Sequence, residues 1–210
     1  MSPRVEWLTV SGDPAVWRSL GFVVTDDGTI ALPGTSLRIV APEPDAGAEL
    51  PGITGWTLSG IAAGSDLLVD GLTTSVVEAA APLFADHPIG ATGIDHVVVL
   101  TASLERTSGA IADATGCELK RIREVGAMRQ GFHRIGPGGL IVELVERPDI
   151  PDGRAAFWGL VVNVDDLDAA CERIGTDRVS PPKDAVQPGR RIATISGAVG
   201  LGVPVALMTP

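Results

Sequence analysis

An internal repeat constrains this 210-residue chain more than any other feature. His96-Val-Val-Val-Leu-Thr-Ala-Ser-Leu104 lies over Gly159-Leu-Val-Val-Asn-Val-Asp-Asp-Leu167, 63 positions further on. Arg129-Gln130 lies over Arg190-Arg191 at an offset of 61, and the turns Gly136 to Gly139 and Gly197 to Gly200 align at that offset too. A fixed period of this size means one supersecondary unit used more than once. Each copy is too small to bury its apolar face alone, so the copies must pack together.

The first copy opens with an apolar, β-branched run, Ile94 to Thr101, which reads as a strand. Ser103 can cap a helix from Leu104 to Thr115, with a stop at Gly116. Glu118 to Val125, Met128 to Ile135 and Leu140 to Val145 read as strands, the last two joined by the tight turn Gly136-Pro-Gly-Gly139. The second copy follows the same order. Phe157 to Val164 is a strand, and Asp165 or Asp166 caps a helix from Leu167 to Ile174 that ends at Gly175. Arg178 to Ser180, Arg190 to Ser196 and Val203 to Met208 complete it as strands.

The N-terminal part repeats the order with weaker identity. Val5 to Val10 reads as a strand and Ala15 to Leu20 as a helix, with Asp13 as its cap and Pro14 in its first turn. Phe22 to Thr25, Thr29 to Leu32, Ser36 to Val40 and Gly52 to Ile61 read as strands. Ala62 to Thr92 reads as mostly irregular connection with a strand at Leu67 to Val69. The expected division is a degenerate βαβββ module over 1–62, a linker over 63–92 and a central βαβββ module over 93–148. A second linker over 149–154 then leads to a C-terminal module over 155–210 that pairs with the central one.

Hydrophobic residues make up 45% of the chain and charged residues 20%, enough apolar content for a core. With four Phe, four Trp and no Tyr, aliphatic side chains must fill it. A net charge of -10 argues against nucleic acid or anionic lipid as a partner, since both need a basic face. Cys117 and Cys171 read as free buried thiols. The N-terminus carries no apolar signal region and no run is long enough to span a membrane, so a cytoplasmic protein is expected.

Tandem βαβββ units, a strand-end His and a last-strand Glu together resemble the vicinal oxygen chelate superfamily, which includes glyoxalase I, extradiol dioxygenases, and bleomycin and fosfomycin resistance proteins. Ile94-Asp95-His96-Val97-Val98-Val99 with Ser103 to Thr107 is similar to its first strand and helix. Phe157-Trp158-Gly159-Leu160 through Ala170 is similar to the same element in a partner module. The tail from Asp184 to Thr194 and from Gly202 to Pro210 resembles glyoxalase-like domain proteins. The resemblance implies an α+β fold, with paired modules curled into a half-open mixed β-barrel and helices outside.

It also implies a divalent metal held from first and last strands, with His96 and Glu143 as ligands. Gly159 and Val205 or Ala206 stand where the partner module should supply the others, so the ligand set is incomplete. An imidazole and a carboxylate suit Zn, Fe, Mn, Ni or Co, and His133 or His87 could add a third ligand. Without a metal, His96 reads as a barrel histidine hydrogen-bonded to Glu143 or a carbonyl. Glu143 is the general-base candidate. Arg129, Arg190 and Arg191 read either as a clamp for an anionic group or as edge residues in ion pairs. Trp158 reads as a rim aromatic or a stacking surface.

The expected function is metal-assisted lyase, isomerase or dioxygenase-type chemistry on a small oxygen-rich, anionic molecule. The alternative is a metal-free, drug-binding protein of the resistance type, whose widened cavity takes an apolar guest. The N-terminal module either packs on the barrel or pairs with a second copy as a homodimer.

Overall fold

A computed structural model describes residues 2–42, 52–62, 67–81 and 83–210. In chain order the elements are β1 (Arg4–Ser11), α1 (Pro14–Ser19), β2 (Thr29–Ile30), β3 (Ser36–Val40), β4 (Ile53–Ser59), β5 (Leu67–Val69) and β6 (Leu72–Val76). The central unit has β7 (Ala91–Thr101), α2 (Leu104–Thr115), β8 (Arg121–Val125), β9 (Met128–Arg134) and β10 (Ile141–Glu146). The last unit has β11 (Ala156–Val164), α3 (Leu167–Ile174), β12 (Lys183–Asp184), β13 (Arg191–Thr194) and β14 (Val205–Met208).

The central and C-terminal modules form one open mixed sheet in the order β12-β13-β14-β11-β7-β10-β9-β8. Within each module the first and last strands run parallel, β7 with β10 and β11 with β14. Between modules, β7 and β11 pair antiparallel. The helices begin where the sequence places them. Ser103 accepts from the backbone N–H of Arg106, and Asp166 from that of Ala169. Both helices lie on the back of the sheet, over Val97, Val99, Val142, Leu144 and Val162, each fully or almost fully buried. None of the described helices is long and apolar enough to cross a membrane.

The N-terminal region departs from its expected form in two places. Phe22 to Thr25 is not a strand. Its backbone is satisfied by side chains instead: Val23 N–H donates to His87 Nδ1, and Arg18 donates to the carbonyls of Val24 and Thr25. Phe22 and Val24 are drawn into the core. Tertiary burial here overrides a β-rich composition. The second departure lies in 63–92, expected as a linker. Residues 63–66 and 82 are outside the described residues, but the segment carries β5 and β6 as well as the start of β7 at Ala91.

These strands build a second sheet in the order β2-β3-β1-β4-β6-β5. Its centre repeats the first sheet's plan, with parallel β1/β3, parallel β4/β6 and antiparallel β1/β4 between them. The N-terminal module therefore has a rudimentary partner within its own chain.

One core joins the two sheets. Trp56 of β4 meets Phe157 of β11 edge-on at 5.6 Å. The tightest polar tie is Asp70, in the turn between β5 and β6, whose side chain is 2% exposed. It accepts from Arg106 Nε at 2.9 and 3.1 Å and from the Thr107 hydroxyl, both on α2. Its carbonyl accepts from Ala155 N–H at 2.8 Å. Asp70 sits at φ 48°, a backbone region that Asn and Asp tolerate better than other side chains. Asp70→Asn keeps that backbone but weakens the ion pair, and should cost about 2 kcal/mol in urea denaturation. An unchanged midpoint would show that the tie contributes nothing.

Candidate functional site

The concave face of the larger sheet follows from period-two alternation along β7. Val97 and Val99 face the helices, so His96, Val98 and Leu100 face the hollow. Register carries that face across the neighbours. Glu143 stands opposite Val98, Phe132 opposite Glu143 and Arg121 opposite Phe132. Gln130 stands opposite Val145, and Arg123 opposite Gln130. On the other side Val161 stands opposite His96, Ala206 opposite Val161, and Lys183 opposite Ile192.

A bulge re-aims one side chain at this point. Val161 pairs with His96 and Val162 with Ile94, so Asp95 has no partner on β11. The extra residue lets Asp95 reach its neighbour. His96 Nδ1 and Asp95 Oδ2 meet at 2.7 Å. Arg190 Nη1 donates to Asp95 Oδ1 at 2.8 Å and Nη2 to Asn163 Oδ1 at 2.6 Å. Burial alone would raise the Asp95 carboxyl, but the bonds from His96 and Arg190 outweigh it and hold it at about 2. An ionised Asp95 places the His96 proton on Nδ1.

His96 Nε2 faces Glu143 Oε2 at 3.3 Å. Atoms of this kind at that distance share a proton, carried by the imidazole or the carboxyl, or a cation. Burial raises the Glu143 carboxyl above the usual carboxylate range, against the pull of His96, Gln130 and Arg123. Gln130 Nε2 donates to Glu143 Oε1 at 2.5 Å, and its own carbonyl oxygen is buried without a partner among the described residues.

The register also refines the repeat. Glu143 faces Val98, whose counterpart Val161 faces Ala206, so Ala206 rather than Val205 replaces the glutamate. Gln130 faces Val145, whose counterpart Met208 faces Ile192. The offset in this region is therefore 62, one more than the arginine alignment indicates. His96, Gln130 and Glu143 on the central module thus correspond to Gly159, Ile192 and Ala206 on the other. Among the described residues, no group of three or more His, Cys, Asp or Glu side chains gathers as a metal cluster.

Of the other candidates, Arg129 and Arg191 are equivalent and lie on the back of the sheet. Arg129 donates to Glu105 at 2.6 Å, at the start of α2, and Arg191 to Asp168 at 2.6 Å, at the start of α3. Each staples a strand to the helix of its own module, and neither reaches the hollow. Arg190 approaches it through Asp95. His133 is 1% exposed and turned to α2, bonded to Ser108 Oγ and the Cys117 carbonyl, and burial lowers its pKa. His87 is held between Val23 N–H and the Ala31 carbonyl in the N-terminal unit. Neither histidine reaches Glu143. Trp158 bulges from β11 and lines the apolar end of the hollow, half exposed. Sequence reasoning missed Gln130 and Asp95. The hairpin at Gly136 to Gly139 pairs Ile141 with Arg134 and so carries the signal for Gln130, whereas the bulge that aims Asp95 leaves none.

Compared with solved structures, the chain aligns over 100% of its length with 93% of 4-hydroxymandelate synthase from Streptomyces coelicolor, a triple mutant, at TM-score 0.62 and 16% identity. Methylmalonyl-CoA epimerase from Mycobacterium tuberculosis aligns over 58% of this chain and 89% of its own, at TM-score 0.48 and 21% identity. No protein-family model and no curated protein matches the sequence. The fold is the vicinal oxygen chelate fold expected from the tandem modules.

Asp95 is held below its unfolded value, so it stabilises the fold above the ordinary carboxylate range, and this contribution is lost as pH falls toward about 2. Asp95→Asn should cost about 2 kcal/mol at pH 7, with the gap closing on acidification, as read by urea denaturation across pH. A pH-independent gap would assign the loss to packing.

Proposed function

We propose that this chain is an enzyme that moves a proton on a small, oxygen-rich anionic substrate, with Glu143 as the base. The observation carrying this reading is the approach of His96 Nε2 to Glu143 Oε2, 3.3 Å away, with Asp95 behind the imidazole. Burial raises the Glu143 carboxyl above the usual carboxylate range, which makes it a stronger base than an exposed carboxylate. His96, locked by Asp95, fixes where that carboxylate points. Gln130 holds its second oxygen.

A divalent cation fits the same residues. His96 Nε2, a Glu143 oxygen and the unpartnered Gln130 carbonyl are three donors of the kinds that Zn, Fe, Mn, Ni or Co accept. Bound there, the metal would supply Lewis-acid polarisation of substrate oxygens. The C-terminal module contributes no donor, so the site is open on that side.

One observation favours a second reading, metal-free binding of an apolar drug. Ile192 and Ala206 line the half where ligands would otherwise stand, and Gly159 carries no side chain to supply one. Thermal shift on untagged protein separates the two, because only a native-state ligand raises the melting temperature. Mn, Fe, Co, Ni or Zn should raise it in the wild type and not in His96→Ala. Hydrophobic drugs alone raising it would overturn the metal reading.

The proton-moving reading is tested with a panel of 2-oxo and 2-hydroxy acids in D2O, with exchange read by NMR at C3 of the oxo acids and at C2 of the hydroxy acids. The wild type should exchange at least one, and Glu143→Gln at least ~100-fold more slowly. Equal rates in both proteins would remove Glu143 from the role of base.

A further inference from the structure

The hollow has two lobes that meet at the polar residues. One, of about 650 Å3, is walled by Arg121, Arg123, Lys183 and the segment from Asp184 to Pro188. The other, of about 360 Å3, is walled mainly by Val98, Leu100, Val145, Val161 and Ala206, with Trp158 and Arg147, the latter paired with Asp149, also lining it. His96, Gln130, Glu143 and Ile192 line both. Both lobes are within the ~300–1,000 Å3 range of small-molecule sites.

The cations of the first lobe are placed by the repeat. Arg123 stands opposite Gln130 on the outermost strand of one module, and Lys183 stands opposite Ile192, the Gln130 counterpart, on the outermost strand of the other. The curl of the sheet brings both edges to one cleft. Arg121 joins them, its guanidinium over the Phe132 ring at 4.8 Å. Among the described residues none of the three is in an ion pair, in a chain with 26 acidic and 16 basic residues. With acids in such excess, three unpaired cations around one cavity mark a place kept for an anion. Glu143 and Asp184 are the acids on the same wall.

We infer that the cleft selects an amphipathic monoanion. Its carboxylate lies toward Arg121, Arg123 and Lys183, and its hydrocarbon tail fills the lobe over Val98, Val161 and Ala206. The atoms next to the carboxylate then lie against His96 and Glu143. The inference takes the location of the site from the proposed function, but needs neither its metal nor its proton transfer.

Octanoate, octan-1-ol and acetate are the probes, read by calorimetry and thermal shift. Octanoate should bind at least about tenfold tighter than either of the others, and more weakly as salt is raised. Arg123→Gln/Lys183→Gln should bring octanoate down to octan-1-ol while leaving octan-1-ol unchanged. Ala206→Phe, if folded by circular dichroism, should lose both. Octanoate no tighter than octan-1-ol would remove the anion anchor, and no tighter than acetate would remove the tail lobe; either result overturns the inference. Repeating the titration with Glu143→Gln and with EDTA separates this specificity from the proposed chemistry. Octanoate binding kept where exchange is absent leaves the specificity standing alone. Exchange of short oxo acids without octanoate preference leaves the chemistry standing and sinks the specificity.

Discussion

The antiparallel pairing of β7 with β11 is the constraint on which the rest of the molecule depends. It sets His96 against Val161 and Val98 against Gly159, and so decides what faces what across the hollow. A slip of one residue would turn every side chain of one module to the opposite face. With the register as it is, the polar trio of the central module confronts hydrocarbon from its partner. The bulge at Asp95 is a local departure within that same pairing. It allows two adjacent residues to meet, although alternation would have sent them to opposite sides.

The smaller sheet shows the same seam in reduced form. β1 and β4 pair antiparallel, flanked by their parallel partners, and no helix lies between β4 and β5 among the described residues. Its contact with the larger sheet is largely apolar, as in Trp56 against Phe157. Polar ties are fewer: Trp17 Nε1 donates to the Leu201 carbonyl, Arg178 to Ser19 Oγ, and Asp70 is the buried charged one. A carboxylate so buried is tolerable because Arg106 and Thr107 satisfy it. The network continues through Thr107 to Thr101, at the end of β7. The same strand therefore carries His96 near its middle and a tie to the second sheet at its end.

The elements legible in the sequence are those whose signals agree with one another. α2 and α3 have capping side chains, apolar positions at helical spacing and glycine stops; β7 and β11 are long and aliphatic. The vicinal oxygen chelate fold follows from their order. Leu72–Val76 was hidden by its short length among glycines and polar residues, and Phe22 to Thr25 looked like a strand because buried loop residues share a strand's composition. His96 and Glu143 were legible as a pair because each is a lone polar residue in an apolar run. The arginines are all in ion pairs, one of the two readings the sequence allows, Arg129 with Glu105 and Glu146, Arg190 with Asp95 and Arg191 with Asp168. Their facing was harder to read, because an alignment off by one exchanges back for front.

Arg129–Glu105 and Arg191–Asp168 are the same staple made twice, behind the sheet, while the front faces of the two copies have nothing polar in common at the three central positions. The two-fold relation of the backbone is thus absent from the chemistry of the cleft. A planar guest lying between the modules would meet a carboxylate on one side and, at the matching positions, hydrocarbon on the other. Under the proposed reading, a proton exchanged with Glu143 would come from one face, so a hollow built from two like halves would tell one hydrogen of a prochiral pair from its mirror twin.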